Sequence, residues 1–173
     1  TPLINDPGYT LVTAAHDNNI TVVPIPGPSA VITALSAAGL PTNKFTFEGY
    51  LPAKTKARQN RLQELATESR TLVFYEAPHR IVELINDMQT IFGEDRRATV
   101  ARELTKQYEQ IVRASLKEIN YKLEQEEIKI KGEFVVIVEG ANEVSIEDAE
   151  VLRINQILSE TLSPKEAAAL TAK

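Results

Sequence analysis

Five short stretches of this 173-residue sequence hold side chains that could act on a ligand. Glu76, His79 and Arg80 directly follow the apolar run Leu72–Tyr75, and Arg102, Glu103 and Lys106 close the run that begins at Ala98. Gly132 and Glu133 precede Phe134-Val135-Val136-Ile137-Val138. Open α/β sheets place ligands at strand ends. A carboxylate there can serve as a general base, and neighbouring cations can orient a phosphate. The fourth stretch, Pro26-Gly27-Pro28-Ser29-Ala30, offers a hydroxyl where an apolar helix should begin, with free N–H groups suited to a carboxylate. The fifth packs Lys54, Lys56, Arg58 and Arg61 into eight residues without an acid, a pattern that can hold a phosphate backbone and equally suits a solvated helix face. Each of the others also has a plainer reading. Arg102 and Glu103 could form a surface ion pair, Ser29 could be only a helix cap, and His79 a surface residue of a first turn.

Other chemistries are excluded. The chain has no Cys and two His, so thiol chemistry, disulfides and a Cys-ligated zinc site drop out, and His16 lacks an acidic or histidine partner at ligand spacing. No metal is expected. Neither G-x-G-x-x-G nor G-x-x-x-x-G-K-[ST] occurs, which argues against a dinucleotide dehydrogenase or an NTPase. No apolar run approaches the ~20 residues of a membrane span and no signal peptide opens the chain, so a cytoplasmic protein is expected. An apolar fraction of 43% supports a packed core. The net charge of −5 sits mostly in the tail: residues 139–173 carry 7 acids against 3 bases, while residues 1–138 are nearly balanced.

The elements that must position these residues follow from patterning. Helices are predicted over Tyr9–Asn18, from Ser29 as N-cap through Ala38 to a Gly39 stop, from the basic stretch to about Ser69, from Pro78 to Gly93, and over about Ser115–Glu126. Apolar positions Ile81, Leu84, Ile85, Met88 and Phe92 share one helix face. Strands are predicted at Ile20–Val23, Phe45–Leu51, Thr71–Tyr75, Ala98–Leu104, Glu109–Ala114 and Phe134–Val138, the fourth and fifth as an antiparallel hairpin. The unbroken run at Phe134–Val138 implies burial on both faces. In the tail, Ser145 with Asp148 and Ser163-Pro164 with Glu166 form two capping boxes, hence a helical extension. The fold class is α/β with a mixed sheet.

An ordered set of motifs carries a resemblance. It comprises Thr1-Pro2-Leu3-Ile4-Asn5-Asp6-Pro7-Gly8, Pro26–Ala30, Phe47-Glu48-Gly49-Tyr50-Leu51-Pro52, Phe74-Tyr75-Glu76-Ala77-Pro78-His79-Arg80, Ala101-Arg102-Glu103-Leu104-Thr105-Lys106 and Gly132-Glu133-Phe134. Together they resemble the tetrapyrrole methylase superfamily, the class III S-adenosylmethionine-dependent methyltransferases. The Phe74–Arg80 and Ala101–Lys106 blocks resemble the branch that methylates the ribose 2′-hydroxyl of a cytidine in small-subunit (16S) ribosomal RNA. The resemblance implies two α/β domains with the methyl donor S-adenosylmethionine in the cleft between them. Residues 1–26 would end the donor-binding domain, 27–141 would form the second domain with a mixed five-stranded sheet, and 142–173 a helical extension. The family's opening strand has no counterpart ahead of Thr1, so the chain is expected to be a piece of the enzyme. It should have little methyl transfer alone, weak donor binding, and self-association through an unpaired Ile20–Val23 edge.

Residue by residue, the resemblance implies donor contacts at Thr1, Ile4, Ser29, Ala30, Tyr75, Ala101, Gly132, Glu133 and Phe134. Residue type and position add Glu76 or Glu103 as the base and Arg102 as a further catalytic candidate. Lys54, Lys56, Arg58, Arg61, Arg80 and Lys106 are expected on the RNA. Small-subunit ribosomal RNA and a second copy of the chain are the expected partners. Two other readings remain open, methylation of a corrin or porphyrin and a non-catalytic RNA-binding role. The basic stretch favours RNA over the tetrapyrrole.

Overall fold

A computed structural model of the protein describes residues 1–141 together with Ile154, Leu158 and Glu166. The chain divides into two compact units, residues 1–141 and 142–173. In the second, the three described residues are helical, and the capping boxes expected at Ser145 and Ser163 lie outside the described residues.

The first unit holds helices α1 (Tyr9–Asp17), α2 (Ala30–Ala38), α3 (Thr55–Leu65), α4 (Ile81–Phe92) and α5 (Leu116–Glu124). Its strands are β1 (Phe45–Tyr50), β2 (Thr71–Glu76), β3 (Arg97–Arg102), β4 (Gln110–Ser115) and β5 (Phe134–Val138). They form one sheet in the order β1-β2-β5-β3-β4. β1 and β2 are parallel and joined through α3, as parallel neighbours must be joined by a crossover. β3 and β4 form the expected antiparallel hairpin, and β5 lies antiparallel between β2 and β3.

All five residues of β5 are buried because both sheet faces are covered. Phe134, Val136 and Val138 pack with Leu72, Phe74, Val100 and the apolar faces of α3, α4 and α5. Val135 and Ile137 pack on the opposite face with Val73, Ala101 and the α2 residues Val31, Ala34, Leu35 and Ala38. Each fully buried Leu, Ile or Phe contributes about 1.5–3 kcal/mol of transfer free energy. α4 buries Ile81, Leu84, Ile85 and Met88, as their spacing predicts, although a 3₁₀ turn over Pro78–Arg80 precedes it. α2 stops at Gly39 in the left-handed conformation (φ 64°). α5 opens on a full capping box in which the Ser115 hydroxyl accepts from the Glu118 N–H and Glu118 accepts from the Ser115 N–H.

The strand expected at Ile20–Val23 does not form, since residues 20–29 carry no regular secondary structure and Ile20, Val23 and Ile25 are exposed. β-branched composition favours a strand only where a neighbouring strand accepts its hydrogen bonds, and none lies beside these residues among those described. The edge expected to drive self-association is therefore not a strand. The third helix also ends at Leu65, short of Ser69.

Candidate functional site

One end of the sheet collects most of the candidates, and strand parity sorts them. Tyr75 pairs with Val135 and Val135 with Ala101, one residue short of the row in which Glu76 pairs with Phe134 and Phe134 with Arg102. Successive residues of a strand point to opposite faces. Tyr75 and Ala101 therefore lie on the α2 face, whereas Glu76 and Arg102 lie on the face covered by α3, α4 and α5.

The α2 face is aromatic at this end. The Tyr75 ring meets Phe47 edge-on at 4.8 Å and Tyr50 at 5.7 Å. Burial raises the Tyr75 phenol above its usual value, with Tyr50 adding to the shift and the Val31 N–H opposing it. Ser29 occupies the N-cap position of α2, as its place before the helix predicts, and its hydroxyl makes no cap bond among the described residues. The Thr1 hydroxyl donates to the Pro28 carbonyl at 2.8 Å, so the opening loop sits against the Pro26–Ala30 turn. Ile4 in that loop is exposed. The same loop brings Asn5 against Gly49, which has a positive φ (64°) at the bulge between Phe47 and Gly49. A Cβ at Gly49 would stand 2.9 Å from the Asn5 Oδ1.

On the other face the charges are locked. The Glu76 carboxylate accepts from the Ala77 N–H at 2.8 Å and lies 3.4 Å from Arg80, its side chain fully buried. Burial pushes this carboxyl up, against the pull of the Ala77 N–H, Arg80, Arg58 and His79. Arg80 donates to the carbonyls of Leu51 and Pro52 at 2.8 and 3.2 Å, and so ties the end of β1 to the turn after β2. Arg102 donates to the Lys131 carbonyl at 2.6 Å and the Tyr108 carbonyl at 2.9 Å. These two arginines hold loops in place through backbone carbonyls.

Beyond β3, Glu103 has a left-handed backbone (φ 51°) that turns its carboxylate toward the loop before β5. That carboxylate accepts from Lys106 Nζ at 2.9 Å and from the Glu133 N–H at 3.0 Å, while Lys106 also bonds the Glu133 carboxylate at 2.9 Å. Gly132 (φ 85°) is required here, because a Cβ would overlap the Glu103 carboxylate. Lys106 and the Glu133 N–H hold Glu103 below the usual carboxylate range, so it is an anion at neutral pH. Phe134 packs into the core on the α3–α5 side and does not share a face with Tyr75 and Ala101.

The basic stretch does not survive as a patch. Arg58 is 1% exposed, with its guanidinium bonded to Asp87 at 2.6 Å and Glu83 at 3.1 Å. Arg61 bonds Glu48 and Glu64, both at 2.7 Å. Only Lys54 and Lys56 remain exposed and without an ion pair among the described residues. Sequence reasoning also missed Phe47 and Tyr50 as companions of Tyr75. The alternation in β1 and a parallel neighbour would have pointed to Phe47.

Among the described residues, no helix is long and apolar enough to cross a membrane, and no cluster of His, Cys, Asp or Glu could hold a metal ion.

The chain is 52% identical to a "Ribosomal RNA small subunit methyltransferase I" of Xylella fastidiosa (strain Temecula1) over 100% of its own length and 64% of the relative's. The protein of the same name from Vibrio cholerae is 50% identical over 100% of this chain and 61% of its own. The chain thus spans less than two thirds of these relatives. Among solved structures, the methyltransferase CobJ superposes with a TM-score of 0.58 at 19% identity, covering 81% of this chain and 61% of CobJ. A uroporphyrin-III C-methyl transferase from Thermus thermophilus complexed with S-adenyl homocysteine gives 0.52 at 15% identity, covering 80% of this chain and 61% of its own. Those identities speak to the fold alone. The sequence profile of the tetrapyrrole (corrin/porphyrin) methylases matches residues 1–120, well over half of the chain, and with the mixed five-stranded sheet it places the chain in that family.

Proposed function

We propose that this chain carries the second domain of a cytoplasmic, homodimeric enzyme that transfers a methyl group from S-adenosylmethionine to the ribose 2′-hydroxyl of a cytidine in small-subunit ribosomal RNA. The observation that carries the reading is identity of 50% or more, along the whole chain, to relatives named for that RNA. In this reading residues 1–26 complete a donor-binding domain, residues 27–141 close over the donor, and residues 142–173 extend the enzyme.

The α2 face fits the donor. The Ser29 hydroxyl and the N–H groups that open α2 would take its carboxylate, with the Thr1–Ile4 loop alongside. Tyr75 and Ala101 would flank its adenosine, with Phe47 and Tyr50 closing the aromatic side. Gly132 and Glu133 would shape the rim, with Phe134 anchoring it from the core side. When bound, S-adenosylmethionine supplies a sulfonium-activated methyl group for in-line displacement.

The chain's own residues then orient and exclude. Alignment of acceptor and donor carries much of such a rate, and a rigid rim serves it. Glu103 is the better-placed candidate for the base, since it lies just beyond β3 against the loop before β5. Glu76 points into the opposite core, where burial raises its carboxyl and the Ala77 N–H and Arg80 hold it. Lys106, held by two carboxylates, keeps Glu103 in place and remains near enough to the surface to meet a phosphate. Lys54, the N-cap residue of α3, and Lys56, in its first turn, add two further cations.

The test is a replacement. This chain is substituted for the matching segment of the Vibrio cholerae relative, and the hybrid receives labelled S-adenosylmethionine with small-subunit RNA or a porphyrinogen. Alkali-resistant label at a ribose supports the proposal. Label in the porphyrinogen alone overturns it.

A further inference from the structure

The groove below Arg102 belongs to neither the donor face nor the basic stretch of α3. It has a volume of about 630 Å³ and is lined by Arg102, Tyr108, Glu126, Lys129, Ile130 and Lys131. We propose that it binds one nucleotide of a single-stranded RNA, with the base on Tyr108 and the phosphate on Lys131 and Lys129. This rests on the reading that the chain acts on RNA.

The groove is built before any ligand arrives. Arg102 is buried, and one guanidinium reaches both walls, through Nη1 to the Tyr108 carbonyl and Nε to the Lys131 carbonyl. The two walls are therefore held at a fixed separation by the backbone, which leaves both side chains free. Tyr108 is 65% exposed and makes no ring contact among the described residues, so its face is open to a ligand. Ile130, also partly exposed, gives the groove an apolar element beside it.

Charge complementarity fixes the class of ligand. Arg102, Lys129 and Lys131 face a single carboxylate, Glu126, which lies 3.4 Å from Lys129. Neither Arg102 nor Lys131 has an ion pair among the described residues. The surrounding unit is close to neutral, so this local excess of cation stands out. An exposed aromatic face beside unneutralised cations is how single-stranded nucleic acid is held, with the base stacked and the phosphate paired. An acidic peptide would use the cations and leave the tyrosine face idle.

Fluorescence anisotropy with a labelled oligocytidine tests this on the whole chain. Tyr108→Ala should weaken binding roughly five- to 100-fold, in line with the loss of one stacked base, and Tyr108→Phe should restore it. Both variants should fold, because Arg102 holds the backbone of Tyr108 and not its ring. Lys131→Ala should flatten the salt dependence by about one unit of slope. Wild-type binding that survives both Tyr108→Ala and Lys131→Ala overturns the groove proposal and leaves the RNA reading standing. Equal binding by Tyr108→Ala and Tyr108→Phe, with polyglutamate competing as well as RNA, shows a plain anion site and overturns it too. No binding of RNA by the wild type removes the proposal together with the reading beneath it.

Discussion

The two faces of the sheet, at the end where β2 and β3 finish, differ in what they do with polar groups. On the α2 side the exposed features are an aromatic cluster around Tyr75 and an unused Ser29 hydroxyl at a helix start. On the α3–α5 side Glu76, Arg80, Arg58 and Arg102 are each held by carbonyls, a backbone N–H or opposite charges. A sequence reader is drawn to the second group because charged residues announce chemistry. Here they fasten loops and a helix, whereas the α2 face carries few charges. One residue of strand register separates the two.

The largest expected effect that could break this contrast is at Arg58. Replacing it with Ala strips Asp87 of its buried partner, and losing one member of such a pair costs about 3–5 kcal/mol. Glu83 is exposed and can turn to water, so the lower end of that range is expected. Urea unfolding measures it. A variant of unchanged stability with weakened RNA binding would show that Arg58 serves the ligand after all.

Next in size is Gly132→Ala, which forces a side chain into a left-handed position already filled by the Glu103 carboxylate. About 1–3 kcal/mol of destabilisation is expected, with weaker S-adenosylmethionine binding. Adding Glu103→Ala should relieve the collision but keep the backbone strain, so a double-mutant cycle should report coupling between the two. Additive losses would place the clasp outside the rim.

The pH dependence sharpens the comparison further, since the two carboxylates shift in opposite directions from the same ordinary value of 4.5. The Glu76 value is raised in the folded protein, so its contribution is fully present below pH 4.5 and is lost as pH rises through the raised value. The Glu103 value is lowered, so its contribution is present above pH 4.5 and is lost as pH falls through the lowered value. Glu76→Gln should remove the decline on the alkaline side of 4.5, and Glu103→Gln the decline on the acid side. Equilibrium unfolding across pH 3 to 8 distinguishes them, and parallel curves would erase the difference between the faces.

The smallest effect belongs to Lys54 and Lys56. Changing both to Ala should move stability by no more than about 0.5 kcal/mol. In RNA binding the pair should flatten the salt slope by about two units, and adding Arg61→Ala should flatten it little further, because Glu48 and Glu64 already hold Arg61.

What could be read from the sequence follows from how far each signal reaches. The burial of β5 and the apolar stripe of α4 are written in consecutive or turn-spaced residues, and both appear as expected. Gly39 is likewise a local matter of one left-handed residue. The fate of Arg58 is decided by acids 25 and 29 residues away, on a helix whose packing partner no local pattern names. Ile20–Val23 misleads for the complementary reason, since β propensity is local and strand formation needs a neighbour. At the candidate site, the sequence names the strand ends but not their parity. Glu76 and Tyr75 are adjacent in the chain and sit on opposite faces.

The position of β5 has a consequence for how the protein is made. β5 is the last strand of the sheet to be synthesised and the one that joins its two halves, pairing with β2 on one side and β3 on the other. Until residue 138 has left the ribosome, β1 with β2 and β3 with β4 can form only separate ribbons, each offering an apolar edge. Such edges are open to wrong partners, and closing a sheet with a late, distant strand is intrinsically slow. The nascent chain should therefore depend on chaperone protection up to Val138 and become protease-resistant abruptly afterwards, with Phe134–Val138 acting as a keystone laid last.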